Sequence, residues 1–335
     1  MAENIKIYPD TKLVKTLVAE AKGERLDSAV RAEANEAIKT LASDMSPQNR
    51  FQMAQVIAFS VNELQREATN FMDLIADRRR VAVGDHAAFE TKIPGVRAFI
   101  EAKGSTTPRS RNGKKSIILD TVEISARPSV PIYEIQAGRV DMGEMIADAS
   151  REMTNGKIRY AMNVLNTAAT NFGTPFYGTG SGVVAATIDP MVQHAMRWGG
   201  ASLIGDIAVI QKLAALTGFA MTANQTQFSP DIINEFNRTG IIGSYKGAAV
   251  VQLVNPYEID GVTPVLSTGK IYIVPNAGDA AMRPLKVVEE GDVFSLEATN
   301  IDDKSYDVNL SQYFGAGIAY GATPFIGVYN DSTLA

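Results

Sequence analysis

Residues 96–125 read VRAFIEAKGSTTPRSRNGKKSIILDTVEIS. Val96–Lys103 and Ser116–Ser125 have strand-type patterning and flank a polar run, GSTTPRSRNGKK, at 104–115. On the second arm Ile118, Val122 and Ile124 share one face, and Thr121, Glu123 and Ser125 the other, as in a half-buried strand. Asn112-Gly113 tolerates positive φ and suits a tight turn. The stretch predicts a long projecting β-hairpin with a basic tip. Such a hairpin has little core of its own and leans on a partner surface.

Working outward, residues 1 to about 80 read as helical. Leu17–Leu41 is rich in Ala, Glu and Lys, and Ser46-Pro47 has the form of a cap followed by a first-turn proline. Met53, Val56, Ile57, Val61, Leu64, Phe71, Leu74 and Ile75 recur at helical spacing. On the other side of the hairpin, Asp141 to about Thr170 predicts a long helix, about 45 Å if unbroken. Asp141 with Glu144 forms a capping box, Met142, Ile146, Ala149, Met153, Tyr160 and Val164 track one face, and Asn155-Gly156 is a point where it could kink or split. A Gly-rich connector (173–182) follows. Then come short alternating elements: Asp189–Trp198 helical, Asp206–Ile210 extended, Lys212–Thr217 helical, a helix from Ser229-Pro230-Asp231 through Arg238, and a strand at Gly247–Val254. Gly269–Tyr329 reads as strand and turn.

The chain has 335 residues, 45% apolar and 21% charged, which fits a folded globular protein and excludes collagen-like or wholly disordered readings. Its net charge of −5 argues against general nucleic-acid binding. Cysteine is absent, so disulfides, thiolate catalysis and Cys-ligated metals are excluded. The N-terminus has no secretory pattern, and no apolar run is long enough to span a membrane. A soluble protein of a reducing compartment is expected.

Catalytic motifs are missing. His86 and His194 lack the spacing of a zinc site, and His194 reads as a packed or half-exposed helix histidine. There is no G-x-S-x-G, P-loop or HExxH. Gly178-Thr179-Gly180-Ser181-Gly182 could cradle a phosphate, but without a clear strand–helix frame it reads as a flexible connector. Glu289-Glu290 with Asp292, and Asp302-Asp303, would need burial or a partner to act as acid–base groups. No enzyme and no cofactor is expected.

Charge is unevenly distributed. Residues 78–115 hold ten basic and three acidic side chains, a net of +7, whereas 255–310 hold ten acidic and four basic, a net of −6. If these blocks meet within one chain they neutralise each other. If they meet between copies, the contact is heterologous and propagates into rings or lattices. Arg109, Arg111, Lys114 and Lys115 at the tip, and Glu289, Glu290 and Asp292 opposite, are the candidate contact residues. A solvated loop tip and a phosphate-binding patch are the other readings, although a tip without aromatics is poorly suited to stacking bases.

The order of elements, together with residues 229–257 (SPDIINEFNRTGIIGSYKGAAVVQLVNPY) and the closing stretch SLEATNIDDKSYDVNLSQYFGAGIAYGATPFIGVYND, resembles the tailed-bacteriophage major capsid proteins. In the closing stretch Gly315, Gly317 and Gly321 would let strands approach closely. The resemblance covers about residues 50–330. It implies an α+β tailed-phage major capsid fold with an N-terminal arm, an extended β-hairpin loop, a long spine helix, a peripheral domain and a mixed α/β axial domain. The expected boundaries are 1–80 for the helical arm, 81–128 for the extended-loop region and 129–171 for the peripheral domain with the spine helix. The axial domain is expected at 172–268 and the returning strands at 269–335.

By the same resemblance, the chain would assemble into hexamers and pentamers of an icosahedral head around double-stranded DNA, in the host cytoplasm. Scaffolding, portal and decoration proteins are implied partners, DNA contact would be weak and non-specific, and no membrane is involved. Neither a lysine–asparagine crosslink nor maturation cleavage of the arm is expected. An encapsulin-like compartment shell and a soluble enzyme built on the Gly-rich loop are the alternatives.

Overall fold

The computed structural model describes residues 8, 11–68, 76–93, 95–100, 103, 106–197, 199–213, 216, 243–253, 255–258, 260–275, 283–319 and 326–334. The expected helix at 229–238, and Phe71, Leu74, Ile75 and Gly321, lie outside them.

Three helices open the chain: α1 (Lys12–Ala21), α2 (Ser28–Ser43) and α3 (Pro47–Ala68). The Ala/Glu/Lys-rich stretch is two helices because Gly23, at φ 73°, turns the chain and Asp27 restarts it by accepting from the Ala29 amide at 3.2 Å. α3 begins at Pro47, as its first-turn proline predicts, with Ser46 accepting from the Asn49 amide. The helical reading fails at its end. Arg78-Arg79-Arg80 sit in a strand, β1 (Ala76–Val81), paired in parallel with β11 (Leu285–Asn300) more than 200 residues away. Local composition carries no sign of so distant a partner.

The hairpin is also displaced from its expected arms. β2 (Ala88–Ile93) pairs with β3 (Gly113–Ile118), so the first arm precedes Val96 and no strand covers the described part of 96–103. The second arm divides: β3 stays with the hairpin, whereas β4 (Val122–Ala126) joins a different sheet by pairing with β12 (Ser305–Ile318). Leu119, Asp120 and Thr121 separate the two, a break that continuous alternation conceals. After β5 (Ser129–Pro131) and the short α4 (Ile132–Gln136) comes α5 (Met142–Phe172), a single 31-residue helix. Asp141 caps it, accepting from the Glu144 amide at 3.1 Å. Asn155-Gly156 does not split it: Asn155 is buried, and Gly156 lies where a Cβ would press on Ile124 of β4. Glycine here serves close helix–sheet packing.

Two sheets are built around α5. In the first, β1, β11, β12 and β4 run in that order and β5 adds to β12. β11 and β12 form a long antiparallel ribbon with a register shift between Glu290 and Phe294, where Gly291 takes φ 71°. The second sheet has the order β6 (Tyr177–Gly180), β13 (Gly327–Asp331), β10 (Lys270–Pro275), β7 (Ala201–Gly205), β9 (Ala248–Gln252) and β8 (Ser244–Tyr245). Asp206–Ile210, expected extended, belongs instead to α7 (Ile207–Leu213), since Asp206 accepts from the Ala208 amide at 2.8 Å and starts a helix. A short apolar run fits a strand or a buried helix equally well.

The apolar stripe of α5 drifts along its length. Met142, Ile146, Ala149 and Met153 pack with the N-terminal helices and the β11–β12 ribbon. Further along, Ile158, Ala161, Met162, Leu165 and Ala169 are buried between the two sheets, against Val287 and Phe314 of one and Tyr272 and Val328 of the other. Tyr160 and Val164, expected on the core face, are half-buried at its margin. A third core joins α6 (Ala185–Met196) and α7 to the second sheet. One helix therefore joins the N-terminal helices to both sheets, and the β2–β3 hairpin stands apart, held by a small cluster of Ala87, Phe89 and Val288 with Val81 and Leu119 beside them.

Candidate functional site

The hairpin is longer than its ladder. Beyond the last strand pair, Ile93↔Gly113, the Gly95 and Val96 amides donate to Asn112 Oδ1 at 3.0 and 3.2 Å, and the Arg97 amide donates to Ser110 Oγ at 3.3 Å. Asn112 is thus a bracket between two runs of chain, and Gly113 opens β3; the tight turn expected at this pair is not there. A side chain at Gly95 would collide with the Arg111 carbonyl, so the runs lie close together. On this projection Lys114 pairs with Glu90 at 3.1 Å. Arg109, Arg111 and Lys115 are exposed and have no ion-pair partner among the described residues.

The acidic candidates sit elsewhere. Glu289 and Glu290 lie on β11, directly beside Arg80 and Val81 of β1, and Asp292 follows at the bulge. Arg80 reaches Glu289 at 3.8 Å and Asp292 at 3.4 Å, and Arg78 reaches Glu289 at 4.0 Å. Lys157 of α5, almost fully buried, lies 3.9 Å from the same carboxylate and donates to Gln65 Oε1 at 2.7 Å and Gln312 Oε1 at 2.5 Å. Burial pushes the Lys157 ammonium down to about 8; Glu289 opposes this, while Arg80 and Arg78 add to it. Glu290 accepts from the Gly84 amide at 2.6 Å and from Thr121 Oγ1 at 2.9 Å, bonds that hold its carboxyl below the usual range. Two cations of the basic block, Arg78 and Arg80, are therefore paired with the acidic block inside one chain. Glu289, Glu290 and Asp292 and the tip cations are not brought together.

The Gly-rich stretch is no flexible connector. Tyr177–Gly180 is β6, parallel to β13, and a Cβ at Gly178 or Gly180 would run into Thr187 or the Tyr329 hydroxyl. The loop amide that could have met a phosphate meets Asp331: the Gly182 amide donates to Asp331 Oδ1 at 2.8 Å. Thr333 adds its amide at 2.9 Å and its hydroxyl at 2.7 Å, and Lys212 Nζ donates at 2.8 Å to the other oxygen. Burial of Asp331 raises its pKa, but these donors outweigh it and hold the carboxyl far below the usual range. The signal for this internal anion was an aspartate at a strand end, which one sequence does not distinguish from any other. His194 packs edge-on against Phe176, with ring centroids 5.3 Å apart, as a helix histidine should. Among the described residues no three His, Cys, Asp or Glu side chains gather in a way that could hold a metal ion, and no helix is long and apolar enough to cross a membrane.

Comparison with known proteins matches residues 4–330 to the family described as "SPbeta prophage-derived putative capsid protein YonB". No curated protein matches. Among solved structures, a chain of Mycobacterium phage Bobi superposes with a TM-score of 0.52 at 10% identity, over 77% of this chain and 89% of that one. One of Mycobacterium phage Adephagia gives 0.51 at 13% identity, over 77% and 89%. The asymmetric unit of the bacteriophage PhiM1 mature capsid gives 0.50 at 12% identity, over 78% and 87%. At such identities the likeness shows the fold, which is that of the tailed-phage major capsid proteins.

Proposed function

The chain belongs to the family of prophage-derived capsid proteins that YonB represents, and on that premise we propose that it is the repeating subunit of an icosahedral phage head. Copies of the chain join as hexamers and pentamers into a closed shell around double-stranded DNA. The observation that carries this reading is the family match along nearly the whole chain, joined to a projection that the chain's own core does not cover. With much of its charge neutralised internally and a net of −5, the shell holds DNA without strong phosphate contacts, and any such contact weakens with salt. The role is structural, its place is the virion, and assembly occurs in the host cytoplasm with scaffolding and portal proteins. A decoration protein on the outer surface is a further partner of this reading.

Negative-stain electron microscopy of the purified chain over a range of concentrations tests it. Closed shells, rings of five or six, or tubes are the expected result. Replacing 96–111 by a short Gly-Ser turn keeps the β2–β3 ladder and removes the projection. Particles should vanish while circular dichroism and monomer size stay unchanged. Undisturbed assembly of that variant would refute the role given to the projection.

A further inference from the structure

Asn-Gly occurs twice in the chain, at 112–113 and 155–156. The pair is chemically labile: the glycine nitrogen can attack the asparagine Cγ and close a five-membered ring, and the missing Cβ leaves that nitrogen unhindered. The fold treats the two pairs in opposite ways. Asn155 is buried and Gly156 lies inside α5, where the helix fixes the backbone and engages its amides. Asn112 is exposed, and Gly113 is the first residue of β3.

Asn112 Oδ1 nevertheless faces the chain. The Gly95 and Val96 amides both donate to it, at 3.0 and 3.2 Å. Two backbone donors that converge on one carbonyl oxygen are what stabilises a tetrahedral intermediate, in which that oxygen carries the negative charge. Productive donors stand roughly 2.7–3.1 Å from it. Both donors here are held from either side, by the Ile93↔Gly113 strand pair and by the Arg97 amide donating to Ser110 Oγ. Gly95 is needed for this approach, since a Cβ there would collide with the Arg111 carbonyl. Arg111 itself precedes Asn112 in the chain, exposed and without an ion-pair partner among the described residues, and adds positive charge next to the developing anion.

We propose that Asn112 is a self-modification site, at which the folded hairpin promotes its own deamidation. The Gly113 nitrogen gives its proton to water and bonds to Asn112 Cγ. The Gly95 and Val96 amides hold the oxyanion, and the Cγ–Nδ2 bond breaks as ammonia leaves. Water then opens the succinimide at either carbonyl and leaves aspartate or isoaspartate at 112. One water is consumed and one ammonia released, with no oxidation or reduction. The stretch that carries Arg97, Arg109 and Arg111 gains one negative charge, and the isoaspartate form lengthens the main chain by one carbon at the bracket between the two runs. The projection thus changes charge and shape with age, without a partner, whether or not the chain builds a shell.

The full-length chain is incubated at neutral pH in oxygen-18 water, beside a synthetic peptide of residues 108–117. Digestion in ordinary water, with a protease other than trypsin because Arg111 and Lys114 flank the site, precedes mass spectrometry. Only rings opened during the incubation carry the label. Losing one oxyanion donor costs an enzyme about 10²–10³ in rate, and exposure to water reduces that, so residue 112 should convert about tenfold faster in the chain than in the peptide. Asn155, the same dipeptide, should stay intact. Val96→Pro removes one donor and Gly95→Ala forces the runs apart. Each should bring the rate down to that of the peptide or below, with circular dichroism unchanged. A chain that deamidates at Asn112 no faster than the peptide, or equally fast in both variants, overturns the proposal.

Discussion

Lys157 should make the protein more stable as the solution becomes more alkaline, a direction opposite to the usual behaviour of ion-paired lysines. Its ammonium is buried with two amide oxygens as acceptors and a single carboxylate 3.9 Å away, which Arg78 and Arg80 also share. The result is a pKa of about 8 in place of 10.5. A difference of about 2.5 units corresponds to roughly 3 kcal/mol held against the charged form. The folded chain gives up this proton more readily than the unfolded one, so between pH 8 and 10.5 the unfolded state binds more protons. Stability then rises with pH across that window. The cost is fully present below pH 8 and gone above 10.5.

Lys157→Met isolates the effect. At pH 7 the substitution removes the charge burial but takes a donor from Gln65 and Gln312 and a counter-charge from Glu289. Each loss costs about 1–3 kcal/mol, so the net change there is small or destabilising by a few kcal/mol. From pH 7 to 10.5 the wild type should gain up to about 3 kcal/mol relative to the variant, other titrations being common to both. Urea unfolding followed by circular dichroism, on chains carrying the 96–111 replacement so that assembly does not intervene, measures the difference. Curves that stay parallel over the window would refute a buried, charge-opposed Lys157.

Asp331→Asn should cost about 2–4 kcal/mol by leaving Lys212 without its buried partner. Because the folded carboxyl is held low, the wild type's advantage over the variant should shrink as pH falls from the ordinary carboxylate range into strong acid, which acid titration of both chains reads. Gly178→Ala should cost about 1–3 kcal/mol, since the new methyl meets Thr187; an unchanged urea midpoint would show that the Thr187 side chain yields. Asp141→Ala removes the cap of α5 and should cost about 1 kcal/mol with no change in helix content, checked by denaturation and circular dichroism.

Periodicity and capping made α5 readable: Asp141 and the Met142–Ile146–Ala149–Met153 stripe need only neighbours within one helix. What stayed hidden depends on distant partners. β1 looks like the end of a helical arm because its strand identity comes from pairing with β11. The shift of the hairpin to 88–118 comes from β4 leaving for β12, a choice made by residues 184 to 192 positions downstream. The Gly-rich stretch looked flexible because its glycines are required by Thr187 and Tyr329, neither adjacent in sequence. Of the candidate site, the tip cations were legible as a charge excess. The apolar Val96, Phe99 and Ile100 read as strand residues, since exposure is not written in residue type.

The two charge blocks show why net charge alone misplaces a contact. Summed over 78–115 and 255–310, they invite one complementary interface. The fold divides that sum. Arg78 and Arg80 meet Glu289 across the β1–β11 ladder, where the carboxylate's burial strengthens the attraction and shields it from salt, and Arg80 also reaches the exposed Asp292. Arg97, Arg109 and Arg111 keep their charge on a projection, where salt screens it. Added salt should therefore weaken association between copies while leaving the folded chain almost untouched. Light scattering against salt, with circular dichroism in parallel, separates the two. A fold that melts at the salt concentration that disperses particles would mean that the tip charges hold the subunit itself together.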